Sequence, residues 1–284
     1  MAVITMSNNE DKMIHPKRLT KADIAKIKAS LPKMVDLTPA KDVAQVLEDN
    51  QDEICAPMSA ETILAFRKYA EMLKEKNKVM NLTAITDDEG IAMKHFIDSL
   101  TIAGYVDKEQ QRIKNKKLTL IDVGTGAGFP GIPLKINKRD LDLTLLDSLA
   151  KRLNFLKEVT DELALEDVKF VHARAEDAGQ DAKYREKFEI ATARAVANLP
   201  TLCEYCLPFV KVGGCFIAMK GKLEEELGNA GKAIELLGGK IEECKEFTLP
   251  GTDMERTIVI IRKVKKTPSK FPRQAGKPSK DPII

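Results

Sequence analysis

Three glycines at alternate positions, Gly124, Gly126 and Gly128, follow directly on the apolar run Leu118–Val123, and Phe129, Pro130 and Gly131 come next. No other stretch restricts the fold as much. Glycine enters left-handed backbone without a Cβ penalty, so a strand that ends in such a loop can turn sharply and bring its own backbone against a ligand. Two registers compete for the loop. The dinucleotide fingerprint G-x-G-x-x-G is matched only from Gly126, through Gly128 and Gly131, and that frame puts Pro130 inside the first helical turn. The frame D-x-G-x-G-x-G is filled by Asp122, Gly124, Gly126 and Gly128 and is the form used for S-adenosylmethionine. That ligand carries no phosphate, so the loop has only to admit backbone close to an amino acid and a ribose.

Around the loop, short apolar runs alternate with amphipathic segments. The strand candidates are Leu118–Val123, Leu141–Leu146, Val168–His172, Phe188–Thr192, Gly214–Met219, Lys240–Leu249 and Arg256–Arg262. Helical patterns, Ala150–Leu163 and Leu199–Val210 among them, lie between. This alternation predicts an open α/β sheet. The last two candidates are separated only by the turn LPGTDME and should pair as an antiparallel hairpin. A mostly parallel seven-stranded sheet with an antiparallel last strand is the layout of Rossmann-like class I methyltransferases.

Four regions are expected. Residues 1–40 mix charge with Pro16, Pro32 and Pro39 and read as a basic arm or linker. Residues 41–117 read as a small helical subdomain, in which Ile63, Phe66, Ala70 and Leu73 recur at helical spacing and Ser59 with Thr62 supplies capping chemistry. Residues 118–264 form the sheet domain. Residues 265–284 form a basic tail whose prolines, at 268, 272, 278 and 282, predict that it is not helical.

Charge is concentrated at the two ends. Arg262, Lys263, Lys265, Lys266, Lys270, Arg273, Lys277 and Lys280 stand against Asp281 alone, while the whole chain carries only +3. Such segments suit a polyanion, because neutralised phosphates release counterions; a solvated, disordered tail is the other reading. No run of 18 apolar residues predicts a membrane span, and the first ten residues lack the pattern of a signal peptide. Five irregularly placed cysteines fit a reducing cytoplasm. Cys203 and Cys206 form a C-x-x-C inside an apolar helical pattern with no second pair, which predicts buried thiols and no zinc site.

Several separated stretches resemble one family: NLTAI (Asn81–Ile85), KHFIDSL (Lys94–Leu100), LLDSLAKRLNFLKEV, ARAED (Ala173–Asp177), TARAV (Thr192–Val196), FVKVGG, MKG (Met219–Gly221) and FPRQAGKPSKDPI (Phe271–Ile283). Together, over about residues 45–284, they resemble the bacterial 16S ribosomal RNA guanine-N7 methyltransferases, also called the glucose-inhibited division protein B family. Residues 1–40 fall outside the resemblance. It implies transfer of a methyl group from S-adenosylmethionine to N7 of one guanine in 16S rRNA, in the cytoplasm, with the 30S subunit as partner and with no metal and no membrane. A monomer is expected.

The resemblance implies that Gly124 and Phe129 touch the cofactor, that Ala175 and Glu176 bracket the adenine, and that Arg194 closes the pocket. Gly126 belongs to the same loop. Asp147, at the end of the second strand, is placed either to accept from ribose hydroxyls or to cap the helix after it. On the acceptor side, His95, Asp98 and Ser99 share one face at α-helical spacing, and Lys220 lies just past the fifth strand. Asn81, Arg174, Lys220 and Arg273 are candidate RNA contacts, with Arg174, Arg194 and Lys220 expected to converge from three strand ends. Each of these charges could instead be a surface charge, and His95 an ordinary packing histidine. N7 of guanine carries a lone pair and no proton, so the reaction needs no general base. A dehydrogenase using the shifted glycine frame, a methyltransferase for another substrate and a non-enzymatic RNA-binding protein are the competing readings; labelled methyl transfer to 30S particles separates them.

Overall fold

In the computed structural model of the protein, which describes residues 41–284 other than Cys55, Asn115, Lys116, Ala195, Glu224 and Glu225, the chain first builds helices and then a sheet. The arm expected over residues 1–40 lies outside the described residues. Helix α1 (Val43–Asn50) opens on Asp42, and α2 (Ala60–Met80) opens on Ser59, whose hydroxyl accepts the N–H of Thr62. Asn81 ends α2 in left-handed backbone, with φ at 49°, a conformation that Asn tolerates. Next come α3 (Asp88–Ile91), a π-helical turn (Ala92–Ile97), α4 (Asp98–Leu100) and α5 (Ala103–Arg112).

The described residues form a seven-stranded sheet in the order β3-β2-β1-β4-β5-β7-β6. Its strands are β1 (Thr119–Val123), β2 (Asp142–Asp147), β3 (Val168–His172), β4 (Phe188–Arg194), β5 (Val210–Lys220), β6 (Gly239–Thr248) and β7 (Glu255–Lys263). The pairs from β3 to β5 are parallel, and β7 runs antiparallel to both β5 and β6. This is the class I methyltransferase layout that the alternation predicts. Between the strands lie α6 (Gly131–Asn137), α7 (Ala150–Glu162), α8 (Ala175–Gln180), α9 (Leu199–Cys206) and α10 (Glu226–Leu236). The helix expected over Leu199–Val210 is shorter than its pattern: it tightens into a 3₁₀ turn at Leu207–Phe209, where Pro208 interrupts the α ladder, and Val210 already belongs to β5.

Side chains of a strand alternate between faces, so the central strands feed two cores. Leu120, Leu143, Leu145, Ile190 and Ile217 enter one, with Phe66, Tyr69 and Leu73 of α2 and Phe96 of the π-helical turn. Ile121, Leu146, Ala191, Phe216 and Ile261 enter the other, with Leu202, Cys203 and Cys206 of α9. Burial pushes both of those thiols well above the ordinary cysteine pKa, consistent with packing residues. Strand β6 forms one edge and exposes Lys240, Glu242, Glu243, Lys245 and Glu246, charges that discourage pairing with another chain. No helix among the described residues is long and apolar enough to cross a membrane.

The tail corrects its expectation. A single helical turn, α11 (Lys277–Lys280), forms within it, because Pro278 falls in the first turn, where its missing N–H would have no partner anyway. Arg185 fixes the approach to that turn by donating to the carbonyls of Thr267 (2.8 Å), Pro268 (3.1 Å) and Phe271 (2.7 Å).

Candidate functional site

Open α/β sheets bind ligands at the carboxyl ends of their strands, and a cavity of about 540 Å³ lies there, against β1 to β4. Its floor is the glycine loop. Gly124 and Thr125 donate to the carbonyl of Leu146 at the end of β2 (2.8 and 3.0 Å), which closes the loop onto the neighbouring strand. Gly124, Gly126 and Gly128 all have positive φ, at 72°, 61° and 102°. Their reasons differ. A Cβ at Gly128 would stand 2.5 Å from the hydroxyl of Tyr69 and 2.8 Å from Ile132 and Leu156, so packing forbids it. A Cβ at Gly126 would meet only the carbonyl of Gly124, at 4.0 Å, so what this glycine keeps clear is the cavity itself.

Asp122 supports the loop from beneath. Its Oδ2 accepts the hydroxyl of Thr125 (2.7 Å) and the N–H of Gly131 (2.9 Å). Oδ1 is buried without a hydrogen-bond partner, and burial raises the carboxyl pKa to about 6. Asp147, 2% exposed, lines the cavity and holds the loop; it does not cap α7, which opens on Leu149 with no side-chain cap. Its Oδ2 accepts from the N–H of Gly126 (2.9 Å) and from Arg152 (3.3 Å), and its Oδ1 accepts from the N–H of Leu149, beside the start of α7 (2.9 Å).

All seven residues expected at a cofactor, Gly124, Gly126, Phe129, Asp147, Ala175, Glu176 and Arg194, line this one cavity. Thr83, His95, Tyr205, Gly276 and Ser279 join them, the last two from the tail. The donor set suits S-adenosylmethionine: a carboxylate able to accept from hydroxyls, a glycine floor that lets backbone approach, and an aromatic ring.

A second cavity, of about 340 Å³, lies beside the first. Lys94, Asp98, Met219, Lys220, Phe247 and Arg256 line it, and the side chains of His95 and Arg194 line both. Register explains the grouping: Arg194 ends β4 opposite Met219, Lys220 ends β5 opposite Thr257, and Arg256 pairs with Phe247 on β6. Asp98, from α4, binds two of these cations at once, accepting Arg194 on Oδ2 (2.9 Å) and Arg256 on Oδ1 (2.8 Å). The guanidinium of Arg194 also lies 5.0 Å from the centre of the Phe129 ring.

His95 is stacked on Phe129, with ring centres 4.5 Å apart and planes at 16°. Arg194 approaches its Nδ1 at 3.4 Å, and Thr83 Oγ1 lies 2.8 Å from its Nε2. Arginine can only donate, so Nδ1 accepts and the ring proton belongs on Nε2, facing Thr83. Burial, and then the adjacent Arg194 cation, lower the imidazole pKa from 6.5 to about 4. Between these values the folded state binds fewer protons than the unfolded chain. His95 therefore contributes stability above pH 6.5 that is lost as pH falls toward 4. Asp122 acts oppositely, because its raised pKa makes its contribution fade as pH rises from about 4 to 6. In an NMR titration His95 is expected to titrate near pH 4, and His95→Gln is expected to flatten the loss of stability below pH 6.5; a midpoint at 6.5 would show an exposed ring.

Several expected groupings do not form. Ser99 is fully buried and lines neither cavity; its hydroxyl donates to the carbonyl of His95. The π-helical turn closes i→i+5 bonds, so the α-helical spacing that grouped it with His95 and Asp98 does not apply. Arg174, Arg194 and Lys220 do not converge: Arg174 borders the first cavity and Lys220 only the second. Lys220 is turned inward, to the carbonyl of Ala197 (2.8 Å) and to Glu226 (2.9 Å). Arg273 is likewise held inside the protein by Glu204 (2.7 Å). Asn81 is exposed at the end of α2. The sequence reading missed Arg256, whose only signal is a cation at the start of an otherwise apolar strand, and Tyr205, which carries none. Among the described residues, no group of three or more His, Cys, Asp or Glu is arranged to hold a metal ion.

The family model described as rRNA small subunit methyltransferase G, GidB, matches residues 62–258. Ribosomal RNA small subunit methyltransferase G of Acetivibrio thermocellus is 58% identical over 223 residues, covering 78% of this chain and 89% of that protein. The proteins of the same name from Alkaliphilus metalliredigens and Leuconostoc mesenteroides are each 52% identical, over 84% and 80% of this chain and 98% and 93% of their own lengths.

Proposed function

Because the chain belongs to the rRNA small subunit methyltransferase G family, we propose that it transfers a methyl group from S-adenosylmethionine to N7 of one guanine in 16S rRNA of the small ribosomal subunit. The observation that carries this reading is the pair of adjoining cavities with His95 and Arg194 as their common wall. The first takes the methyl donor and the second the acceptor base.

When bound, S-adenosylmethionine supplies a methyl group on a positively charged sulfur. Asp147 would accept from the ribose hydroxyls, Ala175 and Glu176 would hold the adenine, and Gly124, Gly126 and Phe129 would border the rest of the ligand. His95 and Arg194 separate donor from acceptor and fix their approach. The lone pair of N7 would take the methyl group as the sulfur–methyl bond breaks and S-adenosylhomocysteine leaves; no proton has to be removed, so the contribution of this chain is position. A histidine that is neutral and weakly basic at pH 7 fits that requirement: it builds a wall and takes no proton. Asp98, with Arg256 and Lys220, borders the acceptor base. Residues 118–264 thus hold the donor, residues 41–117 complete the acceptor side, and the basic ends attract RNA.

The test is transfer of tritium from labelled S-adenosylmethionine to 30S particles, with borohydride–aniline cleavage to locate N7-methylguanine. One methylated guanine in 16S rRNA is expected, and Arg194→Ala and Glu176→Ala are each expected to lower transfer at least ~10-fold, about the loss of one hydrogen bond to a charged group. Label absent from rRNA overturns the function; wild-type transfer and cofactor binding by both variants overturns the site.

A further inference from the structure

Helix α9 holds the tail before and after the part that reaches the first cavity. Before it, Arg273 clamps Glu204, a carboxylate only 1% exposed, through Nε (2.9 Å), Nη2 (2.7 Å) and its own backbone N–H (2.7 Å). After it, Thr201, one turn away on the same helix, donates to the carbonyl of Pro278 (3.1 Å). Between these anchors Gly276 reaches the cavity, and Ser279, just past the second, joins it in the wall beside Tyr205. There the N–H of Gly276 donates to Oε1 of Glu176 (2.7 Å), and the hydroxyl of Ser279 donates to the carbonyl of Gly276 (3.1 Å). Gly276 has φ at 83°, backbone that a β-branched residue does not adopt without strain.

We propose that this segment is a built part of the donor site, and that Gly276 is a positioning residue that aims the Glu176 carboxylate at a 6-aminopurine. The proposal rests on the donor reading above. A carboxylate has only acceptor oxygens, so with Oε1 tied to Gly276 it faces the ligand as an acceptor. An exocyclic amine donates to such a group, whereas the 6-oxo group of hypoxanthine meets it acceptor to acceptor. Selectivity for adenine therefore depends on a hydrogen bond supplied 100 residues away in the chain.

Isothermal titration of the full chain with S-adenosylhomocysteine and with S-inosylhomocysteine, its deaminated counterpart, tests this without turnover. Wild type is expected to prefer the adenosyl compound. Gly276→Val is expected to weaken adenosyl binding roughly tenfold, the size of one hydrogen bond to a charged group, and to narrow the preference. In a Glu176→Gln background the same change is expected to cost less than about twofold, because the two residues act as one unit. Gly276→Ala, for which the structure leaves open space around a Cβ, gives the same pattern at smaller size and guards against misfolding of the valine variant. Circular dichroism and melting temperature report the fold. Wild-type affinity and preference in Gly276→Val, or an equal loss in both backgrounds, overturns the proposal while leaving the donor reading intact. Failure of the wild type to bind the adenosyl compound overturns both.

Discussion

Asp98→Ala is expected to destabilise the protein by about 3 kcal/mol, the lower end of what removing one partner from a buried ion pair costs. For a chain of this size that corresponds to a fall of roughly 6–12 °C in melting temperature. Asp98 is 7% exposed and is the shared counter-ion of Arg194, 14% exposed, and Arg256, 22% exposed. Without it, two guanidinium groups face each other across a desolvated gap. Arg256 can relax toward solvent, which is why the expected cost is not larger; Arg194, packed against Phe129 and His95, cannot. The same variant is expected to lose methyl transfer, since Arg194 is part of the wall between the two cavities. Asp98→Ala combined with Arg194→Met is expected to recover part of the lost stability, because the second change removes the unpaired charge. Thermal melts of the two variants check this. A melting temperature for Asp98→Ala within about 2 °C of wild type would mean that the three groups are not coupled.

Asp147→Ala is expected to weaken S-adenosylmethionine binding by about 10²–10⁴-fold. Two hydrogen bonds from ribose hydroxyls to a carboxylate, at about 1.5–3 kcal/mol each, account for that range. A smaller part comes from the loop, because Asp147 also holds the N–H of Gly126 and loses that grip on truncation. Arg152→Ala separates the terms. It removes the 3.3 Å contact with Asp147 and one side chain, 38% exposed, from the rim of the first cavity while leaving the Asp147 carboxylate in place, and is expected to change affinity less than about fivefold. Isothermal titration of both variants reads the difference. If Asp147→Ala binds within about threefold of wild type, this carboxylate does not hold the ligand.

Much of the fold is legible along the chain. Six of the seven strand candidates appear within two residues of their expected bounds, because short apolar runs between turn formers have few other ways to be buried; β5 starts four residues early, at Val210, and β6, largely charged and exposed, is placed by its hairpin with β7. The register of the glycine loop is legible as well: Asp122 at its head bonds Thr125 and Gly131, and Pro130 stands just before the helix rather than inside it. The placement of single side chains is less legible. An α-helical spacing groups Ser99 with His95 and Asp98, and the π-helical turn replaces that spacing; nor does the chain show that the cations Lys220, Arg194 and Arg273 are paired. Each of those three has an acidic partner in the folded protein: Glu226 for Lys220, Asp98 for Arg194 and Glu204 for Arg273.

That pattern separates what the chain alone determined from what only tertiary structure decided. Periodicity, turn chemistry and the glycine loop are properties of a few neighbouring residues, so the strands, the closing hairpin and the sharp turn after β1 follow from the sequence. Whether a cation is free depends on distance in space: Asp98 and Arg256 lie 158 positions apart and 2.8 Å from each other. Coulomb attraction and desolvation act over that distance and not along the chain. The tertiary structure therefore decided which charges hold the protein together, and it set Gly276 and Ser279 of the tail in the wall of the cavity.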